Sequence, residues 1–232
     1  MSVETQLQLH NNFVRVEQTI AEAAQQFGRN VEEIQIVVVT KGRPTKEIYF
    51  AIETGFRHFG ESYVQEAFTK IELLPTRDMV WHFIGPIQSN KTQMIAKYFN
   101  WVQSLDSLKH AQRLNDQRLD HLPPLNVCIE VNVDREPQKS GVLLDEVADF
   151  AKEIQQFPRL QLRGLMAVPA HHEEFELQRQ SCRLLSQAYQ QLKMLGFQLD
   201  TLSMGMTGDM VAAIAEGSTM LRIGTGIFGE RE

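Results

Sequence analysis

The sequence predicts a single (β/α)8 barrel with an extra N-terminal helix, and three observations carry that prediction. Short β-branched or apolar runs alternate with helical patterns until eight strands are counted. Strand–helix alternation implies parallel pairing through right-handed crossovers. No linker rich in Pro, Gly or Ser and no low-complexity tract divides the 232 residues, so 1–232 reads as one domain. A doubly wound open sheet competes with this reading. It usually has fewer strands, however, and no G-x-G-x-x-G follows the first strand here.

The elements follow in order. Val3 to Phe27 is an amphipathic helix with Phe13, Val14, Ile20 and Ala24 among its apolar positions, stopped by Gly28; residues 1–30 form the added N-terminal segment. The run Ile34 to Val39 is a buried strand. Pro44 opens a helix over Thr45 to Glu53 that Gly55 closes. Further strands are expected at Phe56–Phe59, Val80–Ile84, Trp101–Leu105, Asn126–Val131, Leu160–Leu165, Thr201–Met204 and Met220–Ile223. The helices between them are expected at Tyr63–Leu73, Lys91–Tyr98, Leu108–Asp120, Leu144–Gln156, Glu174–Leu195 and Asp209–Ala215, with none after the eighth strand.

Composition narrows the function classes. Hydrophobic content of 43% and charged content of 22% suit a globular chain, and a formal charge of −6 argues against nucleic acid as the main partner. Cys128 and Cys182 are too few for a disulfide framework and lack metal-ligand spacing; Cys128 reads as a small buried apolar residue. The pair His171-His172 has no further ligands at fixed spacing, so no metal site is expected. No signal peptide or membrane span is visible, and a cytoplasmic protein is expected.

A barrel places its site just beyond the C-terminal ends of its strands. Those positions hold Lys41, Gly60-Glu61-Ser62, the stretch from His82 to Asn90, Ser104, Asp106, Asn132, Met166, Ser203-Met-Gly-Met-Thr207, and Arg222 with Gly224 and Thr225. The last two groups are glycine-rich turns with hydroxyls, which suit a phosphate, and barrels commonly bind phosphate after strands seven and eight. Lys41 reads either as a lysine snorkelling from a strand end or as an amine of depressed pKa that forms a Schiff base. Arg222, alternating with Leu221 and Ile223, points inward, either as half of a buried ion pair with Glu61 or Asp106 or as a fork for a phosphate or ring nitrogen. Glu61 and His82 suit general acid–base work or a structural place at a strand end. Trp81, Phe83 and Trp101 read as core.

Several strings resemble a known family. Val38-Val-Thr-Lys41, Phe59-Gly-Glu-Ser-Tyr-Val-Gln-Glu66, Trp81-His-Phe-Ile-Gly-Pro-Ile-Gln-Ser-Asn-Lys91, Gly164-Leu-Met-Ala-Val-Pro169, Leu202-Ser-Met-Gly-Met206 and Arg222-Ile-Gly-Thr225 are similar to the pyridoxal phosphate homeostasis proteins, in order and from about Ile36 to Arg231. The resemblance implies a barrel like the N-terminal domain of alanine racemase, holding pyridoxal 5′-phosphate as an aldimine on Lys41. It also implies that Arg222 faces the pyridine nitrogen. Ser203, Gly224 and Thr225 match the phosphate-binding turns, with Met204, Gly205 and Thr207 lining them. Lys139, in Gln-Lys-Ser-Gly141, matches a second lysine taken as a transient acceptor of the cofactor. Two positions depart from the family's pattern: Ser62 where Asn is usual, and Gly42-Arg43 where the family commonly has Thr-Lys.

The function the resemblance implies is to carry, buffer and hand over the cofactor without turning over amino acids. An arginine opposite the ring nitrogen leaves that nitrogen unprotonated and weakens the electron sink. The chain ends shortly after the eighth strand, leaving no room for the second domain through which racemases supply a catalytic tyrosine. A racemase of small amino acids and a cofactor-free Schiff-base aldolase or isomerase are the alternatives. The expected partners are the cofactor and, transiently, apo-enzymes that need it, and the expected state is a monomer.

Overall fold

The computed structural model describes residues 2–74 and 78–230. Eight parallel strands close into a barrel in which each pairs with its sequence neighbours and the last returns to the first. They are β1 (Gln35–Val39), β2 (His58–Glu61), β3 (Val80–Phe83), β4 (Trp101–Leu105), β5 (Leu125–Glu130), β6 (Leu160–Met166), β7 (Thr201–Ser203) and β8 (Met220–Ile223). The helix α1 (Val3–Gln26) precedes them. After the strands in turn come α2 (Thr45–Glu53), α3 (Val64–Leu73), α4 (Thr92–Tyr98), α5 (Leu108–Gln117), α6 (Val147–Ile154), α7 (Phe175–Met194), α8 (Met210–Ala215) and α9 (Thr225–Phe228).

The period of two along each strand sorts side chains into two separate cores. Outward residues such as Val38, Phe59, Phe83, Val102, Ile129, Leu165 and Leu221 pack under the helices in one continuous cluster. Inward residues Val37, Trp101, Cys128, Met166 and Met220 form a second, smaller cluster inside the barrel. The smaller cluster leaves room for polar side chains at the same depth: His82, Gln103, Ser203 and Arg222 are all buried there.

Helix α1 lies across α8 and α9. Its buried Leu9, Phe13, Val16, Ile20, Ala23 and Ala24 recur at helical spacing, and Asn12 donates to the carbonyl of Ile227 at 2.7 Å. Phe13 stacks on Phe56 with centroids 4.6 Å apart. Val14, expected among the apolar positions, is 47% exposed, because it falls outside the stripe formed by Leu9, Phe13, Val16 and Ile20.

Among the differences from the sequence reading, three have a local cause. Strand β2 begins at His58 rather than Phe56, since the N–H of Phe56 closes α2 on the carbonyl of Ala51. Helix α5 stops at Gln117, where Arg118 turns extended and its guanidinium caps the carbonyls of Ala96, Phe99 and Pro123. A short α9 follows β8, with Ile227 and Phe228 donating back to Gly224.

Candidate functional site

The C-terminal mouth of the barrel holds a cavity of about 240 Å³. Val39, Lys41 and Ser62 line it from the ends of β1 and β2, and Ile84 and Val168 from the ends of β3 and β6. Met206 and Thr207 come from the loop after β7, and Arg222, Gly224 and Thr225 from the end of β8. A second cavity of about 270 Å³ shares Ile84 and Val168 as its wall and adds Glu130, Asn132, Lys139 and Ser140.

Arg222 enters the first cavity from below, already held. Its Nη1 donates to the Ser203 hydroxyl at 2.6 Å and its Nη2 to the carbonyl of Ala167 at 2.7 Å. Ser203 in turn donates to Gln103 Oε1 at 2.6 Å, and Gln103 Nε2 donates to His82 Nδ1 at 2.9 Å. With Nδ1 accepting, the His82 proton sits on Nε2 and is donated to His58 Nδ1, 2.9 Å away. Every bond in this chain donates away from the guanidinium, so each polarises the next. Burial pushes the Arg222 pKa down, opposed by Asp209 and Glu130, and a guanidinium stays charged throughout the physiological range. Neither carboxylate raised from the sequence as a partner is engaged by it: Glu61 pairs with Lys70, and Asp106 lies 4.0 Å from His110.

The rim after β7 and β8 is built from hydroxyls and peptide groups. Thr207 Oγ1 accepts the N–H of Gly226 at 2.9 Å and lies 3.1 Å from Thr225 Oγ1, which joins the two turns. On the far side, Gly85 packs so closely on Ser62 that a Cβ there would lie 2.2 Å from the Ser62 carbonyl oxygen. Ser104 donates to the Gly85 carbonyl at 2.6 Å and fixes that approach.

Burial sets the charge states around the mouth. Desolvation holds His82 well below the ordinary imidazole range, with His58 adding to it, and lowers His58 as well. Glu130, lining the second cavity, is raised to about 7, first by desolvation and then by Asp106, with Arg222 opposing. Cys128 is pushed up to about 12 by burial and stays a thiol, in keeping with its reading as a small core residue. Among the described residues no cluster of His, Cys, Asp and Glu could hold a metal ion.

Of the residues singled out in the sequence, Lys41, Ser62, Thr207, Arg222, Gly224 and Thr225 share the first cavity. Lys139 stands in the second; its Nζ lies 2.6 Å from Glu136 and donates to the carbonyl of Val168 at 3.1 Å. Ser203, Met204, Gly205 and His82 do not line either cavity. Ser203 and His82 face the interior, Met204 is fully buried in the outer core, and the Gly205 carbonyl accepts the N–H of Arg222 at 3.0 Å. They hold Arg222 or the turn from behind. Gln103 and Glu130 were not singled out. Gln103, like Arg222, is a polar residue alternating with apolar neighbours in a strand, and Glu130 ends a strand as Lys41 follows one.

The cavity suits a small ligand that combines an aldehyde, a phosphate and a ring acceptor: one amine, one fixed guanidinium and a hydroxyl-lined turn meet there. The family described as "Alanine racemase, N-terminal domain" matches residues 15–232. The pyridoxal phosphate homeostasis protein of Escherichia coli strain K12 is 47% identical over 225 residues, 96% of each chain. The chain belongs to the pyridoxal phosphate homeostasis protein family. Solved structures agree with this family's fold. A protein of Bifidobacterium adolescentis superposes with a TM-score of 0.90 at 30% identity, over 98% of this chain and 97% of that one. PipY of Synechococcus elongatus PCC7942, solved with pyridoxal phosphate bound, does so at 0.79 and 32%, over 90% of this chain and all of that one.

Proposed function

We propose that this chain binds pyridoxal 5′-phosphate through the Lys41 amine and buffers and hands over the cofactor without turning over amino acids. The observation that carries the reading is the meeting of Lys41, Arg222 and the Thr207–Thr225 rim in one cavity. The aldehyde of the cofactor supplies an electrophile for an amine. The residues do the rest: Lys41 is the nucleophile, Arg222 donates toward the ring nitrogen, and the Gly224–Thr225 turn with Thr207 receives the phosphate. Full-length relatives named for pyridoxal phosphate homeostasis, and the cofactor-bound PipY, support the same ligand.

The carrier reading rests on charge. Arginine only donates, so it keeps the ring nitrogen unprotonated and withholds the electron sink that carbanion chemistry on an amino acid needs. Lys139, one wall away, is proposed as a transient stop on the route out, and apo-enzymes as recipients of the cofactor. We place the protein in the cytoplasm as a monomer; no described helix is long and apolar enough to cross a membrane.

Transfer kinetics test the proposal. The loaded protein should activate an apo-enzyme that needs this cofactor, while a panel of amino acids in D2O shows no exchange at Cα. Exchange that disappears in Lys41→Ala would make the protein an enzyme. Failure of the purified protein to take up the cofactor would remove the ligand altogether.

A further inference from the structure

Lys70 lies on α3 behind the mouth, with its side chain 5% exposed. Its Nζ donates to the carbonyl of Thr40 at 2.7 Å, to Glu61 Oε1 at 2.7 Å and to Glu66 Oε1 at 2.5 Å. The same Glu66 oxygen accepts the N–H of Gly42 at 2.6 Å, and the Thr40 hydroxyl donates to Glu61 Oε1 at 2.6 Å. The carbonyl just before Lys41 and the N–H just after it are therefore tied to one ammonium and its two carboxylates. Gly42 makes this turn with φ of 71°, a conformation open to glycine and costly for a residue with a Cβ.

Stability alone explains this cluster poorly. One ammonium faces two carboxylates, leaving an excess negative charge, and Glu61 Oε2 is buried with no hydrogen-bond partner. Buried ion clusters commonly hold a fold less well than apolar residues of the same volume. What this one does is fix the chain on both sides of a single side chain.

We propose that Lys70 is a positioning residue: with Glu61 and Glu66 it fixes the backbone flanking Lys41 and so presents the Lys41 amine to the ligand aldehyde. This rests on Lys41 being the carbonyl-reactive amine. A reacting amine displaced by about 1 Å loses of order a hundred-fold in rate, which gives such a clamp chemical value.

The test compares pyridoxal 5′-phosphate with pyridoxine 5′-phosphate, which carries an alcohol in place of the aldehyde. The ratio of their dissociation constants reads how well Lys41 is presented, and the alcohol alone reads the state of the pocket. In Lys70→Met and in Glu66→Ala the aldehyde preference should fall about ten-fold or more, with the alcohol's affinity nearly unchanged. Glu66→Gln, which keeps an oxygen for Gly42, should restore it. Glu66 is 28% exposed at its side chain, so Glu66→Ala decides the matter should Lys70→Met fail to fold. An unchanged preference, or equal loss for both ligands, would overturn the positioning role. Wild-type protein with no aldehyde preference would overturn the Lys41 reading itself.

Discussion

Arg222 donates to the Ser203 hydroxyl at 2.6 Å, and that single bond joins the floor of the candidate site to a hydrogen-bonded chain crossing the barrel interior. Barrel interiors are usually filled by Val, Ile and Leu. Here Ser203, Gln103 and His82 occupy that depth instead, and they set the direction of a guanidinium that would otherwise swing on a long stem.

Ser203→Ala should therefore cost stability and loosen Arg222 together. Both Arg222 Nη1 and Gln103 Oε1 lose a partner in a buried place, which costs about 1–3 kcal/mol in denaturant unfolding. Arg222→Ala should weaken cofactor retention and move the absorption band of the bound cofactor. An unchanged band and unchanged retention would reject Arg222 as the partner of the ring nitrogen.

Glu130 predicts a stability that falls as pH rises. Its folded pKa of about 7 lies above the ordinary 4.5, so the folded state holds the proton more tightly than the unfolded chain. Stability is full below about 4.5 and is lost through the window up to about 7. Glu130→Gln should be more stable than wild type by about 1–3 kcal/mol at pH 8, allowing for solvent access, and the two should converge near pH 4.5. An equal difference at both pH values would refute the raised carboxyl.

His82 acts in the opposite sense. Its pKa is depressed, so the neutral ring contributes stability above the ordinary 6.5 that is lost as pH falls below it. His82→Gln should remove up to about 1.4 kcal/mol per pH unit from the acid-side slope between pH 6.5 and 5, whatever it costs at neutrality. Parallel slopes for the two proteins would show that His82 does not titrate on unfolding.

Gly85→Ala should disturb the mouth from the side of Ser62. The new Cβ would sit 2.2 Å from one backbone atom of Ser62 and 2.7 Å from another, which backbone movement must relieve. A loss of about 2–4 kcal/mol is expected. A melting temperature within a degree of wild type would show that the two loops are not locked.

How much of this was legible in the sequence follows from the kind of signal each residue leaves. Lys41 and Arg222 are charges set against apolar strands, and the closed barrel brings them together because β1 pairs with β8. Alternation says that Gln103 faces inward, but not that it meets Ser203 from the other side, a hundred positions along the chain. Lys70 was not singled out, since a lysine four positions after Glu66 on a helix gives no sign of the Glu61 and Thr40 that the fold places beneath it. Ser203 and Met204 match the phosphate-binding turn by the resemblance, yet Ser203 ends β7 facing the barrel interior and Met204 just beyond it is buried in the outer core. Helix α9 was missed because four residues are too few for a helical period to register.

The most direct test is chemical. Protein mixed with pyridoxal 5′-phosphate, reduced with borohydride and digested should carry the added mass on the peptide containing Lys41, and Lys41→Ala should abolish it. Label confined to Lys139 or scattered over surface lysines, with Lys41 unmodified, would contradict the account.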